Sequence, residues 1–159
     1  MLRRINEAKQ RWGGQHAALD RWLEERQEVI VGYFQLAGLP PYTEDSQQLP
    51  AAAEVQAFCE LLVDYISAGH FELYEHLLKE ANEHGPESLA IARRLYPLIA
   101  VTTEIALKFN DSYAELESTN NWENFDQDLS ELGEAIELRL ELEDQLLQQL
   151  AEQVLATTN

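Results

Sequence analysis

Residues 57–78 read AFCELLVDYISAGHFELYEHLL, and the spacing of apolar side chains in this stretch determines the fold we expect. Apolar residues recur every three or four positions on both sides of Gly69, which is the period of an amphipathic α-helix. These residues are Phe58, Leu62, Tyr65, Phe71, Tyr74 and Leu78. The pattern predicts two amphipathic helical segments joined at Ser67-Ala68-Gly69, because glycine weakens the interior of a helix.

The same stretch carries polar and aromatic side chains that core packing alone does not require. They are Asp64, Ser67, His70, Phe71, Tyr74 and Glu75, which fall within twelve residues. On a helix Asp64 aligns with Glu60 and Ser67, away from the apolar stripe. It is either an ordinary solvent-facing carboxylate or an acidic hot spot that pairs with an arginine of a partner. His70 is expected to cap the helix break, and the two aromatic residues are more often core than interface at this spacing. This cluster is the first candidate for partner recognition.

Helical periodicity extends upstream of this stretch. A helix is predicted from about Gln15 to Leu36. Gly13-Gly14 separates it from a shorter N-terminal helix, and Gly38-Leu39-Pro40-Pro41 stops it. Residues 42–50 are polar, without strand-like alternation, and predict a loop.

Downstream, a helix starts near Ala51, and the helical segment ends at His84-Gly85-Pro86. Residues 87–117 are predicted to be helical again, with a kink or a one-turn break just before Pro97. Asn120-Asn121 suits a turn or an N-cap ahead of the last helix. The apolar stripe of that helix is formed by Phe125, Leu129, Leu132, Ile136, Leu140, Leu147, Leu150 and Val154.

These patterns predict an all-α protein with a single domain over residues 1–159, folded as an elongated antiparallel bundle with long kinked helices. No apolar run approaches the roughly 18 residues of a membrane span. The charged N-terminus MLRRINEAKQRW is unlike a secretory signal. Cys59 is the one cysteine, and its apolar neighbours predict a buried thiol. We therefore expect a cytoplasmic protein that does not enter membranes.

The net charge of −18 is unevenly distributed along the chain. Residues 1–30 carry a net charge of +1, residues 31–110 carry −7, and residues 111–159 carry −12. Such a charge repels nucleic acid and anionic membranes, because the phosphate attraction on which both depend becomes repulsion. It favours basic partners, including proteins that hold DNA, although a merely solvated surface is the alternative interpretation.

Metal and nucleophile chemistry find little support in the sequence. A di-iron bundle requires Glu-x-x-His motifs, whereas Glu72 and His76, like Glu80 and His84, are spaced by four. That spacing suits weak attraction between exposed helix neighbours. No nucleophile elbow or phosphate-binding glycine loop is present. We expect no metal, no cofactor and no enzyme activity, and a helical-bundle metalloprotein stays open as an alternative.

Several stretches resemble the regulator of sigma D/AlgQ family of bacterial anti-sigma factors. They occur in the family's order and cover nearly the whole chain. The stretches are RWGGQH and LDRWLEER (residues 11–16 and 19–26), FCELLVDYISAGHFELYE (58–75), YPLIAVTTEIALKFND (96–111) and LSELGEAIELRLELED (129–144). The motif DYISAGHF is quite specific, and residues 96–111 are especially similar to the AlgQ branch.

This resemblance implies a cytoplasmic helical protein that binds conserved region 4 of the primary sigma factor. Region 4 is a basic helix-turn-helix module that reads the −35 promoter element and docks on core RNA polymerase. Carried over by position, the contact residues are Asp64, Ser67, His70, Phe71, Tyr74, Asp20, Arg21 and Trp22. Arg21 alternatively pairs with Glu24 or Glu25 on its own helix. We expect a monomer, and an acidic adaptor for other regulatory or metabolic proteins is the alternative function.

Overall fold

The computed structural model describes residues 1–14, 17–42, 50–115 and 122–151. Within these ranges it contains six α-helices, two short π-helical segments and no strand. The α-helices are α1 (Leu2–Trp12), α2 (Ala17–Ala37), α3 (Ala52–Ala68), α4 (Glu75–His84), α5 (Pro86–Tyr113) and α6 (Phe125–Leu146). The π-helical segments are π1 (Gly69–Tyr74), between α3 and α4, and π2 (Leu147–Ala151), after α6. The prediction of an all-α fold is confirmed.

Glycine and proline end the helices where the sequence predicts. Gly14, just after α1, has a φ of 82°, a left-handed conformation that favours glycine. Its amide donates to Asp20 Oδ1 at 2.7 Å, which fixes the turn into α2. Gly38 follows α2 with a φ of 65°, and Gly85 separates α4 from Pro86 with a φ of 117°.

Neighbouring helices run antiparallel around one apolar core. α2 packs on α3 through Tyr33 and Phe58, whose ring centroids lie 6.4 Å apart. α3 packs on α5 through Phe58 and Phe109 at 6.1 Å, and Tyr113 meets Phe125 at 5.2 Å where α5 and α6 adjoin. The predicted inward-facing residues that are buried include Phe58, Leu62, Tyr65, Phe125, Leu129, Leu132, Ile136, Leu140 and Leu147.

Cys59 is fully buried within this core, as its apolar neighbours predict. Burial raises the pKa of its thiol to about 11, because the thiolate is poorly solvated there. At neutral pH the thiol is therefore protonated, and it acts as a small apolar side chain.

The two helical segments predicted to join at Ser67-Ala68-Gly69 do meet there, since α3 ends at Ala68 and π1 begins at Gly69, but the predicted break in the helical chain is absent. Gly69 has right-handed helical angles (φ −59°, ψ −51°), and the chain continues from α3 through π1 into α4 without a turn. Close packing explains the glycine instead, since a Cβ there would lie 3.1 Å from Trp22 Nε1 and 3.3 Å from Tyr74 Cζ. The missing side chain lets two large rings approach the backbone. The chain stays helical through this point, so His70 has no break to cap.

The one-turn break predicted before Pro97 is also absent, because α5 is continuous through that residue. α5 ends at Tyr113, somewhat earlier than expected, and α6 begins at Phe125. Several other predicted features lie outside the described residues. They are most of the loop at residues 42–50, Asn120, Asn121, Val154 and the side chain of Leu150.

Gly133→Ala tests the close packing of α6 on α2. A Cβ at Gly133 would collide with Tyr33 Oη and lie 2.7 Å from Tyr33 Cζ, and that hydroxyl donates to Leu129 O at 3.0 Å. For a collision this close we expect the upper part of the roughly 1–3 kcal/mol that overpacking costs, which exceeds the roughly 1 kcal/mol that alanine gains in helix propensity. We expect a lower free energy of unfolding in urea denaturation.

The matched control is Glu134→Ala, at the adjacent exposed position of α6. A surface change of this kind alters the free energy of unfolding by less than about 0.5 kcal/mol. If Gly133→Ala is as stable as this control, the described contact between Gly133 and Tyr33 is incorrect.

Candidate partner-binding site

The recognition face, as we name the surface formed by Asp64, Ser67 and His70, lies where α3 passes into π1. Asp64 and His70 are exposed, and Ser67 is half-buried. Asp64 and Ser67 are three residues apart on α3, so they lie on the same side of the helix. The structure therefore places these three predicted contact residues at or near solvent on neighbouring turns.

Two other predicted contact residues, Trp22 and Tyr74, lie beneath this surface. Trp22 is 1% exposed and Tyr74 is 7% exposed. The Trp22 ring stacks on Tyr65 with 6.1 Å between centroids, and both Trp22 and Tyr74 approach Gly69. In this structure they support the recognition face from below and offer little contact area of their own. The side chain of Phe71 lies outside the described part of the chain.

Asp20 and Arg21, the predicted contacts on α2, have different surroundings. Asp20 is half-buried, and its Oδ1 already accepts a hydrogen bond from the Gly14 amide. Its position is therefore explained by the turn between α1 and α2. Arg21 is exposed, so it is more accessible to a partner than Asp20.

A cluster of buried polar and charged side chains lies under π1. This buried cluster consists of Arg26, Tyr65, Tyr74, Arg139 and Glu143. Glu143 is fully buried and accepts hydrogen bonds from the hydroxyls of Tyr65 and Tyr74, one at each carboxylate oxygen. Arg139 Nε lies 3.3 Å from Glu143 Oε2, and Arg26 Nη1 lies 3.9 Å from Glu143 Oε1. One carboxylate thus joins α2, α3, π1 and α6.

Further polar contacts tie the buried cluster to the remaining helices. Arg26 Nη2 lies 2.6 Å from Asp144 Oδ1, and Arg4 Nη1 of α1 donates to Asp144 Oδ2 at 3.1 Å. Arg139 Nη1 donates to Thr103 Oγ1 of α5 at 2.7 Å. The network therefore also reaches α1 and α5.

Burial and charge together shift the pKa values of Tyr65, Tyr74 and Arg26. Burial raises the pKa of Tyr65 and of Tyr74, and the Glu143 carboxylate adds to both increases. Burial opposes the charged form of Arg26, but the Glu143 and Asp144 carboxylates outweigh it and raise the pKa of that guanidinium. The two phenols are therefore neutral donors at physiological pH, and Arg26 stays charged.

A buried ionic cluster of this kind is better explained by specificity than by net stability. Taking each ion out of water costs several kcal/mol, and replacing a whole triad with apolar residues is often neutral or stabilising. Removing one partner is different, since it leaves an uncompensated buried charge at a cost of about 3–5 kcal/mol. We interpret the buried cluster as the device that fixes the relative positions of the helices.

Sequence patterns do not single out Arg139 and Glu143, although both are buried. Charged side chains are assigned to the surface by default, because burial of an unpaired charge is costly. The available signal is positional. Arg139 is the one cation of residues 111–159, and it lies three positions after Ile136, a residue of the apolar stripe. Glu143 likewise lies three positions after Leu140 of the same stripe.

The α5 stripe, formed by Leu98, Val101 and Ile105, is a second feature that the predictions miss. These side chains are 48%, 53% and 37% exposed, and their spacing of three and four places them along one side of the helix. Residues 98–107 read LIAVTTEIAL, which holds more apolar side chains than one buried helix face needs. Exposed apolar side chains aligned along one side of a helix are candidates for contact with a partner. Because α3 and α5 pack against each other, the stripe and the recognition face belong to adjacent helices.

Exposed apolar side chains on one helix beside exposed polar ones on the next match the apolar centre and polar rim of a protein interface. In the ranges that the structure describes, no three His, Cys, Asp or Glu side chains are grouped as metal ligands. No helix among the described residues is long and apolar enough to cross a bilayer.

Comparison with known proteins identifies the family. Residues 1–151 match the family described as regulator of RNA polymerase sigma(70) subunit, Rsd/AlgQ. The regulator of sigma D of Yersinia pestis bv. Antiqua (strain Angola) is 36% identical over 153 residues, which cover 96% of this chain and 90% of the relative. The regulator of sigma D of Enterobacter sp. (strain 638) is 37% identical over 148 residues, covering 92% and 88%. The chain therefore belongs to the Rsd/AlgQ family, a family of sigma regulators and not of enzymes.

Glu143→Gln tests the role of the buried cluster. The substitution keeps the shape of the side chain but removes a carboxylate that faces both Arg26 and Arg139. We expect the free energy of unfolding to fall by about 3 kcal/mol in urea denaturation, because two buried guanidinium groups lose a counter-charge. Glu141→Gln, at an exposed position of α6, is expected to change it by less than about 0.5 kcal/mol. Equal effects of the two substitutions would contradict this role.

The raised tyrosine pKa values predict a loss of stability at high pH. The unfolded chain ionises its tyrosines near pH 10, whereas Tyr65 and Tyr74 stay protonated to higher pH in the folded state. Above about pH 10 the folded state therefore binds more protons, and the free energy of unfolding falls by about 1.4 kcal/mol per pH unit for each such tyrosine. Tyr74→Phe removes one such group, so urea unfolding should show a shallower decrease. A slope equal to that of the parent would argue against this assignment.

Proposed function

We propose that this chain is an anti-sigma factor that binds conserved region 4 of the primary sigma factor. Binding covers the surface with which region 4 docks on core RNA polymerase and reads the −35 promoter element, so housekeeping transcription is disfavoured. The protein acts in the cytoplasm as a monomer with one domain over residues 1–159, and does not itself bind nucleic acid. The observation that carries this proposal is the family match over residues 1–151.

The recognition face and the α5 stripe supply the contacts in this proposal. Leu98, Val101 and Ile105 are exposed apolar side chains, and such groups become the desolvated centre of an interface. Asp64 is an exposed carboxylate on the adjacent helix, suited to a bidentate pair with an arginine of the basic region 4. Ser67, His70, Phe71 and Arg21 remain proposed contacts around this centre. Trp22 and Tyr74 contribute from beneath it.

The charge of the chain supports the same partner. A net charge of −18 attracts a basic module and raises the rate of encounter. This attraction is screened by salt, since the Debye length is about 8 Å at physiological ionic strength. Long-range charge therefore governs how fast the partner arrives, while Asp64 and the α5 stripe determine which partner stays bound.

Binding to an isolated sigma region 4 fragment tests this proposal. We expect Asp64→Arg and Val101→Asp each to weaken binding at least about tenfold, as truncation of an interface hot spot does. Val101→Asp adds negative charge, which by itself would strengthen attraction to a basic partner. Weaker binding of this variant therefore reports the loss of the apolar contact. Glu137→Arg, at an exposed position of α6, matches the charge change of Asp64→Arg and should bind within about threefold of the parent.

Competition completes the test, because −35 promoter DNA and this protein should exclude each other from region 4. A parent chain that does not bind the fragment contradicts the proposed function. Folded Asp64→Arg and Val101→Asp variants that bind like the parent contradict the proposed surface.

A further inference from the structure

A groove of about 710 Å³ opens between α4 and the first half of α5. Its lining is mostly apolar and includes Leu78, Leu89, Tyr96 and Pro97. Leu78 is 38% exposed, so a large apolar side chain faces solvent there. Tyr96 Oη donates to Tyr74 O at 2.8 Å, and the two rings stack at 5.7 Å. The floor of the groove is therefore fixed before any partner arrives, which reduces the entropy cost of binding.

Two cations flank this apolar floor, Lys79 from α4 and Arg93 from α5. Both are exposed, and neither forms an ion pair with any carboxylate whose side chain the structure describes. Among the lining residues whose side chains the structure describes, Glu75 is the one carboxylate, so the described cations outnumber it in a chain whose net charge is −18. The described lining thus combines apolar side chains with two cations and one carboxylate on an acidic protein.

We propose that this groove docks an amphipathic helix of a partner protein that carries acidic side chains beside its apolar ones. α4 has 10 residues and is about 15 Å long, which matches about ten residues of a partner helix. Apolar anchors spaced by three and four residues contact the floor. Carboxylates on the flanks of the same helix pair with Lys79 and Arg93.

The shape and charge of the groove select this occupant. The groove is open along the surface, whereas a small-molecule pocket encloses most of its ligand. The two cations disfavour a basic helix, because like charges across an interface are repulsive. The partner therefore differs in charge from the basic module proposed for the recognition face, and this inference does not rest on that function.

Fluorescence anisotropy with a synthetic peptide tests the inference. The probe is a labelled helical peptide of about twelve residues, with leucine at every third or fourth position and glutamate beside the leucines. It is titrated with the full chain at roughly physiological salt. We expect the peptide to bind the parent, and Lys79→Glu/Arg93→Glu to weaken this binding at least about tenfold.

The matched control is Arg3→Glu/Lys108→Glu, which changes the net charge equally at two exposed positions outside the groove. Its affinity should stay within about twofold of the parent, and a peptide with serine in place of leucine should not bind. Three outcomes overturn the inference: no binding to the parent, equal losses in both double variants, or equal affinity for the serine peptide. Because the recognition face is not involved, each of these outcomes leaves the proposed sigma binding untouched.

Discussion

The Glu143 carboxylate, buried between two arginines, is the constraint on which the rest of the structure depends. It accepts hydrogen bonds from Tyr65 and Tyr74 and faces Arg26 and Arg139. The elements α2, α3, π1 and α6 must therefore pack around this carboxylate in the correct register. An apolar core tolerates small shifts of its helices, whereas a buried charge without its partners costs several kcal/mol. Alternative packings of the same apolar stripes are therefore disfavoured by this one carboxylate.

The buried cluster matters for function because it fixes the position of the recognition face that lies over it. Tyr74 lies in π1, and its hydroxyl is bound to Glu143 while its ring lies against Gly69 and Tyr96. Short π-helical segments inside α-helices often occur at functional sites, and here the segment follows directly after Asp64 and Ser67 on α3. A preorganised face spends less of its interaction free energy on ordering when a partner binds. In this account the buried cluster positions the recognition face, and the exposed side chains make the contacts.

The helices and most of the core were predictable because their signals are local. Gly14, Gly38 and Gly85 have the left-handed angles that end helices, and apolar periodicity identifies the inner faces. The continuous helical chain at Gly69 was not predictable, because the sequence does not distinguish a glycine that permits close packing from a glycine that breaks a helix. Arg139, Glu143 and the α5 stripe were missed because charge is assigned outward and apolar residues inward by default. The sigma partner follows from the family resemblance, which physical patterns alone do not supply.

The location of the sigma-binding surface is tested most directly by an NMR titration of the isotope-labelled full chain with a sigma region 4 fragment. Amide chemical shifts report which backbone groups change environment on binding. If the recognition face and the α5 stripe bind region 4, we expect the largest changes in residues 60–70 and 98–105, with small changes along the exposed acidic side of α6. Changes concentrated on α6, or in the groove between α4 and α5, would contradict this location.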